Sequence, residues 1–292
     1  MIALASTGGM LAAMGSACRI ELSAYTLRPG RVLDALEGAA RRGARVTVRL
    51  EGRPYGDAGG ALAAANARGV AELRRLGADA KLVDANDGDG APLHMKAAIC
   101  DRDLFLDDRN WPDDGTDTIV RDTFSSDVRA VRDALDGRAP RWSPVFSTTK
   151  AASLRLETQL LRAAARARTV EVASESFGAG SGVYGQLERL AKEGVRCRLL
   201  VADRERRESA REALALERLA RAGVEVRTGS FDEKFAIVDS RRAWVGSTNA
   251  TSPYYDANQR DWGLRTDRSA VVSEIENRFE REWALAADFS AK

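Results

Sequence analysis

Two stretches in the first half, RVLDALEGAARRGA (31–44) and ALAAANARGVAELRRLGA (61–78), repeat apolar residues at intervals of three and four and then reach a glycine. That period and that stop predict amphipathic helices. Between and around them lie RIELSAYTL (19–27), RVTVRLEG (45–52) and AKLVDA (80–85), whose β-branched character predicts strands. The second half runs in the same order: TVEVASESF (169–177), VYGQLERLAKEG (183–194), VRCRLLVAD (195–203), ESAREALALERLARAG (208–223) and VEVRTG (224–229). Local matches support a duplication, since DALEGAARRGARVTVRL aligns with GQLERLAKEGVRCRLLV. Alternating strands and helices predict an α/β chain of two similar lobes, each a mostly parallel sheet flanked by helices. Two such lobes are expected to pack about a pseudo-two-fold axis.

The stretch GRAPRWSPVFSTTK (137–150) has Pro140 and Pro144 and no periodicity, so it reads as the connection between an N-terminal lobe, 1–140, and a C-terminal lobe, 141–292. The apolar run from Ile2 to Ala17 reads as a buried first helix that leads into the strand at Arg19. An export signal ending near Cys18 is the alternative. It is disfavoured because no basic residue precedes the run, which is also too short to span a bilayer.

Composition narrows the choices modestly. Lys plus Arg number 45 and Asp plus Glu 43, so a net charge of +2 gives no global attraction to nucleic acid or to an anionic membrane. Hydrophobic residues at 44% are enough for real cores. Three scattered cysteines, Cys18, Cys100 and Cys197, form neither a disulfide framework nor a zinc site. A cytoplasmic protein with no metal and no cofactor is the expectation.

The chemistry lies in a second pair of matching segments. HMKAAICD (94–101) aligns with DEKFAIVD (232–239), and the same interval separates Lys96 from Lys234 and Asp101 from Asp239. His94 is the only histidine of the chain. The apolar residues after each lysine predict strands, on which residues two apart share a face, so His94 projects with Lys96 and Asp232 with Lys234. A neutral imidazole is a nucleophile near pH 7 and an ammonium stabilises a phosphoryl oxygen, which points to an anionic phosphate substrate. Ser247 and Asn249, in GSTN (246–249), add neutral donors. Trp111, Trp244, Tyr254, Tyr255 and Trp262 lie near the motif loops, where they could line a mouth, with core packing the preferred role for Trp244.

These segments resemble the HxK-x4-D and G-S-x-N signatures of the phospholipase D superfamily, and the resemblance extends over nearly the whole chain through strand order and repeat. It implies a metal-independent phosphodiesterase, hydrolase or transphosphatidylase, in which one histidine attacks phosphorus and forms a phosphohistidine. On that reading His94 is the nucleophile and Asp232 stands where the second histidine, the general acid, belongs. Lys96, Lys234, Asn110, Asn249 and Ser247 would hold the phosphate of one shared cleft. Asp117 and Asp261 would take the place of the glutamates that orient the motifs. Asp101 and Asp239 are expected to support the strands rather than touch substrate. The sequence departs from the pattern at Asp232 and at Asp107-Asp108, which replace the first Gly-Ser pair. Phospholipid headgroup esters are the leading substrate class, with peripheral membrane contact and a two-lobed monomer. The alternatives are a nuclease, whose groove Arg28, Arg53, Arg109 and Arg260 could supply, and an impaired phosphate-binding or scaffolding protein.

Overall fold

Gly43 and Gly194 show how the pattern becomes structure. Each has a φ of +86° and follows a helix directly. The glycine N–H reaches the carbonyl of Ala40 or Ala191, and the next N–H reaches Ala39 or Leu190, at 3.0–3.1 Å. This six-to-one closure needs a left-handed residue, which glycine supplies without steric cost. Gly77 and Gly223 close the following helices in the same way. The computed structural model describes all residues except 58–59, 85–90, 112–118, 141–142, 204–209, 255 and 290–292.

The chain divides into two units, Met1–Trp142 with Asn258–Trp262, and Ser143–Ala257 with Gly263–Lys292. In the first, the described elements are β1 (Ile2–Ala5), α1 (Thr7–Ser16), β2 (Arg19–Ala24), α2 (Arg31–Arg41), β3 (Arg45–Glu51), α3 (Ala61–Arg75), β4 (Asp79–Val83), β5 (Ala97–Cys100), β6 (Asp103–Asp107), β7 (Ile119–Asp122) and α4 (Ser125–Leu135). In the second they are β8 (Phe146–Ser147), α5 (Lys150–Arg162), β9 (Thr169–Ser174), α6 (Gly182–Lys192), β10 (Arg196–Ala202), α7 (Ala210–Arg221), β11 (Glu225–Gly229), β12 (Phe235–Val238), β13 (Arg242–Gly246), β14 (Gly263–Thr266), α8 (Ser269–Leu285) and β15 (Ala287–Asp288). The sheet orders are β1-β7-β6-β5-β2-β3-β4 and β15-β11-β10-β9-β12-β13-β14-β8. Reading β4 as β11, β3 as β10 and so on through β1 as β8, the two orders coincide, with β15 added at one edge. The duplication therefore reaches the sheet topology, and each unit has its own apolar core.

Two expectations need correction. The sheets are mixed rather than mostly parallel: in the first, only β2–β3 and β3–β4 run parallel, and in the second only β9–β10 and β10–β11. Helical crossovers join those strands, whereas β5–β6 and β12–β13 are connected by tight turns that force antiparallel pairing. The apolar N-terminal run is not one helix. It forms the edge strand β1, paired to β7, and then α1, whose start is fixed by Ser6 accepting the Gly9 N–H at 3.0 Å. Met10 and Met14 of α1 are fully buried.

Trp111, Trp244 and Trp262 are buried and Tyr254 is exposed, so the tryptophans pack in the interior rather than line a mouth; Tyr255 lies outside the described residues. Cys100 and Cys197 are buried, and burial pushes their thiols up to about 12 and about 11, so they act as small apolar groups. Among the described residues no helix is long and apolar enough to cross a membrane.

Close approach fixes one further residue in the second unit. A Cβ on Gly263 would meet Ser153 Oγ at 2.1 Å and Trp244 Nε1 at 2.8 Å. Gly263→Ala is expected to cost about 1–3 kcal/mol through overpacking. Thermal denaturation checks this, and an unchanged midpoint would contradict so tight a contact.

Candidate active site

Leu93 and Met95 are fully buried, and this alternation turns His94 and Lys96 to the other side of the segment that enters β5. The strand start is pinned from two directions. The His94 N–H donates to the Arg260 carbonyl at 2.8 Å, and the Arg260 N–H donates to that of Pro92 at 2.8 Å. Glu51, at the end of β3, accepts the Leu93 N–H on Oε2 at 2.6 Å.

His94 is held at both ring nitrogens. Nδ1 lies 2.9 Å from Asp261 Oδ1, and Nε2 lies 3.0 Å from Lys96 Nζ. A lysine ammonium can only donate, so Nε2 carries the lone pair and Nδ1 carries the proton given to Asp261. Asp261 is 1% exposed, and its second oxygen accepts from Gln259 Nε2 at 2.8 Å. A buried carboxylate needs such partners. Asp261 was expected to orient a motif from its position after GSTN. The structure places it on the first motif's histidine, within the first unit. Tyr25, the residue after β2, meets the imidazole edge-on with centroids 5.1 Å apart.

The segment in the place of the first Gly-Ser pair is organised by its own carboxylate. Asp107 accepts the N–H groups of Arg109 at 2.9 Å and Trp111 at 2.6 Å. Trp111 takes a φ of +52° there and Trp262 Nε1 donates to the Asp107 carbonyl at 2.8 Å. Asp108 is fully buried and Asn110 is exposed. Asp117 lies outside the described residues. Of the arginines considered for a groove, Arg260 is buried and Arg53 pairs with Asp84 at 2.6 Å.

In the second unit Asp232 is half-buried and Lys234 is 2% exposed. Lys234 Nζ donates to the Asp232 carbonyl and pairs with Glu175 Oε2 at 2.9 Å. Glu233 points elsewhere, to Arg278 at 2.8 Å. Asn249 accepts the Ser176 N–H at 3.1 Å, so Lys234 and Asn249 meet consecutive residues after β9. Ser247 is fully buried. Asp101 and Asp239 are matched across the repeat. Each sits in a hairpin turn at a φ of +55° or +51° and accepts N–H groups at the start of the central strand, Cys18 and Arg19 or Arg168 and Thr169. Sequence reasoning did not single out Tyr25, Glu51 or Glu175. The aligned strands RIELSA and TVEVAS would have drawn attention to Tyr25 and Glu175, the residues that follow them. Among the described residues no group of three or more His, Cys, Asp or Glu is arranged to hold a metal ion.

The arrangement in the first unit can present an imidazole lone pair next to a cation, with the opposite ring N–H on a buried carboxylate. Such a group can attack an electrophilic phosphorus while the carboxylate stabilises the positive charge that builds on the ring.

Comparison with known proteins bears on the fold and on the second half of the chain. Residues 158–283 match the family model described as cardiolipin synthase, PLD-like domain. No curated protein sequence matches the chain significantly. Among solved structures, a polyphosphate kinase from Porphyromonas gingivalis is similar over 97% of this chain and 47% of its own, with a TM-score of 0.70 and 16% identity. The chain thus spans about half the length of that kinase. A phosphatidylserine synthase from Haemophilus influenzae is similar over 99% of this chain and 87% of its own, with a TM-score of 0.67 and 14% identity. At such identities the structures speak for the fold, and the family match shows a PLD-like domain over residues 158–283.

Proposed function

We propose that this protein is a phosphodiesterase or phosphodiester transferase that works through a phosphohistidine on His94, with phospholipid headgroup esters as its substrate class. The observation that carries the reading is the placement of His94, with Nε2 3.0 Å from Lys96 Nζ and Nδ1 2.9 Å from Asp261 Oδ1, from which the lone pair on Nε2 follows. Lys96 exchanges Nε2 for a phosphoryl oxygen when the diester binds. Nε2 then attacks phosphorus, the N–P bond forms and the P–O bond to the leaving alcohol breaks. A proton goes to the departing oxygen, and only the motif resemblance assigns its donor as the Asp232 carboxyl. Water or an acceptor alcohol next gives a proton to the Asp232 carboxylate and attacks phosphorus, and the N–P bond breaks with its electron pair returning to Nε2. Lys234, Asn249, Ser247 and Asn110 bind phosphate oxygens in this reading, which for these residues rests on the motif resemblance. Phospholipid is preferred to nucleic acid because the matched family description and one full-length structural relative both name phospholipid synthases.

Asp232 offers a sharp test. An acid catalyst matters only where the leaving group needs a proton, and it supplies on the order of 10²–10⁴-fold. Asp232→Asn is therefore expected to leave aryl phosphodiester cleavage nearly unchanged and to slow alkyl phosphodiesters by a factor approaching that range. Asp232→His should restore the alkyl reaction, because imidazole titrates near neutral pH. Rates are measured in excess chelator, where the proposed mechanism persists. Equal losses on both substrate classes, or a requirement for added divalent cation, would overturn this assignment.

A further inference from the structure

Behind His94 lies a buried polar network that neither motif contains. Asn66, on α3, is fully buried. Its Oδ1 accepts the Leu27 N–H at 2.9 Å, and its Nδ2 donates to the carbonyls of Tyr25 at 2.9 Å and Glu51 at 2.8 Å. Glu51, 3% exposed, accepts the N–H groups of Leu93 at 2.6 Å and Arg53 at 2.8 Å. One buried amide thus ties the end of β2 to the end of β3, and one buried carboxylate ties β3 to the residue before His94. Removing a partner from such a network leaves a buried polar group unsatisfied, so its geometry is stiff.

What this network fixes is Tyr25. Its ring meets the His94 imidazole edge-on at 5.1 Å and 72°, and Lys96 Nζ lies 5.7 Å from its centroid. Its hydroxyl donates to the Tyr55 carbonyl at 3.2 Å. The second unit provides a contrast at the same point of the repeat. There the residue after β9 is Glu175, which pairs with Lys234, and the motif has no histidine. The aromatic ring accompanies the histidine-bearing copy.

Resting on the reading of His94 as nucleophile, we propose that Tyr25 is a positioning residue for it. Two hydrogen bonds in the ring plane, from Lys96 and to Asp261, hold the imidazole at rest. Substrate binding takes Lys96 to a phosphoryl oxygen, and a single hydrogen bond from Nδ1 to Asp261 permits the ring to tilt about it. The Tyr25 ring is a wall against that tilt, and its backbone is anchored through Asn66 rather than through any group that moves in the reaction. A reacting atom displaced by about 1 Å loses on the order of 10²-fold in rate.

The single histidine makes the test direct. Protein labelled with ¹⁵N-histidine gives ring-nitrogen signals from His94 alone, which report its tautomer. The wild type and Tyr25→Phe should both show the Nδ1–H form. Tyr25→Ala and Tyr25→Leu, with thermal midpoints confirming the fold, should show a mixed or averaged pattern. With an aryl phosphodiester, kcat of the Ala and Leu variants should fall about 10- to 100-fold, while KM stays within about threefold and Tyr25→Phe keeps its rate. Wild-type spectra and kcat in Tyr25→Ala, or a loss confined to KM, would overturn the proposal. A wild type that cleaves no phosphodiester would overturn the reaction reading instead, and the nitrogen spectra would still decide whether Tyr25 sets the ring.

Discussion

His94→Ala is expected to reduce phosphodiester cleavage by on the order of 10⁴-fold or more, with the fold intact. Removing a covalent nucleophile eliminates the path through the intermediate, and losses of this size follow even when the other groups remain. The effect should be as large on aryl as on alkyl substrates, because both need the N–P bond. That distinguishes it from the Asp232 variants, whose losses depend on the leaving group. His94→Ala also takes a hydrogen-bond partner from Asp261, which is 1% exposed, so the thermal midpoint is recorded beside the rates to confirm that the fold is kept. The comparison also decides against a scaffolding role: wild-type activity that disappears in His94→Ala requires a working enzyme. Activity that survives the substitution would mean that another group attacks phosphorus.

Asp261→Asn should cost nearly as much, about 10²–10⁴-fold in kcat, though no atom of Asp261 need touch the substrate. The carboxylate can only accept, so it selects the imidazole tautomer with the proton on Nδ1. An amide can instead offer an N–H to Nδ1. Once substrate takes Lys96 from Nε2, that choice puts the proton on Nε2 and removes the lone pair that attacks phosphorus. KM should change far less than kcat, because the lost interaction matters in the transition state. Ring-nitrogen spectra of the only histidine should keep the Nδ1–H form while Lys96 donates to Nε2, and show the proton moving to Nε2 when a phosphate ligand draws Lys96 away. A variant with wild-type kcat would contradict the assigned tautomer.

Much of the architecture was legible because it is written twice. The helices that end at Gly43, Gly77, Gly194 and Gly223 were readable from period and stop, since the left-handed closure leaves a glycine in the sequence. The antiparallel halves of the sheets were missed because β5 and β12 carry only apolar residues, which say nothing of strand direction. The short turns at Asp101 and Asp239 held that information. The strand β1 was hidden in the apolar run it shares with α1, although Ser6 marked the boundary as a cap. At the site, the residues Lys96, Lys234 and His94 stood out because a lysine or histidine beside a buried strand has little other reason to be there. The partnership of His94 with Asp261 spans 167 positions and could not be read, since nothing local specifies which distant loop returns to a strand. Tyr25 and Asn66 were passed over for a related reason. A tyrosine after a strand and an asparagine within a helix look ordinary until packing places them.

The most direct test of the central claim is to trap the covalent intermediate. Wild-type protein is mixed with a bis-aryl phosphodiester, whose good leaving group lets the first step outrun the second, then quenched in alkali and weighed intact. The account expects a mass increase equal to one aryl phosphoryl group. The adduct should be stable in alkali and lost in mild acid, as a phosphoramidate is, and absent from His94→Ala. Because the chain has one histidine, a phosphohistidine can only be on His94. Sustained turnover with no adduct at any quench time, or an adduct that survives acid or persists in His94→Ala, would contradict it.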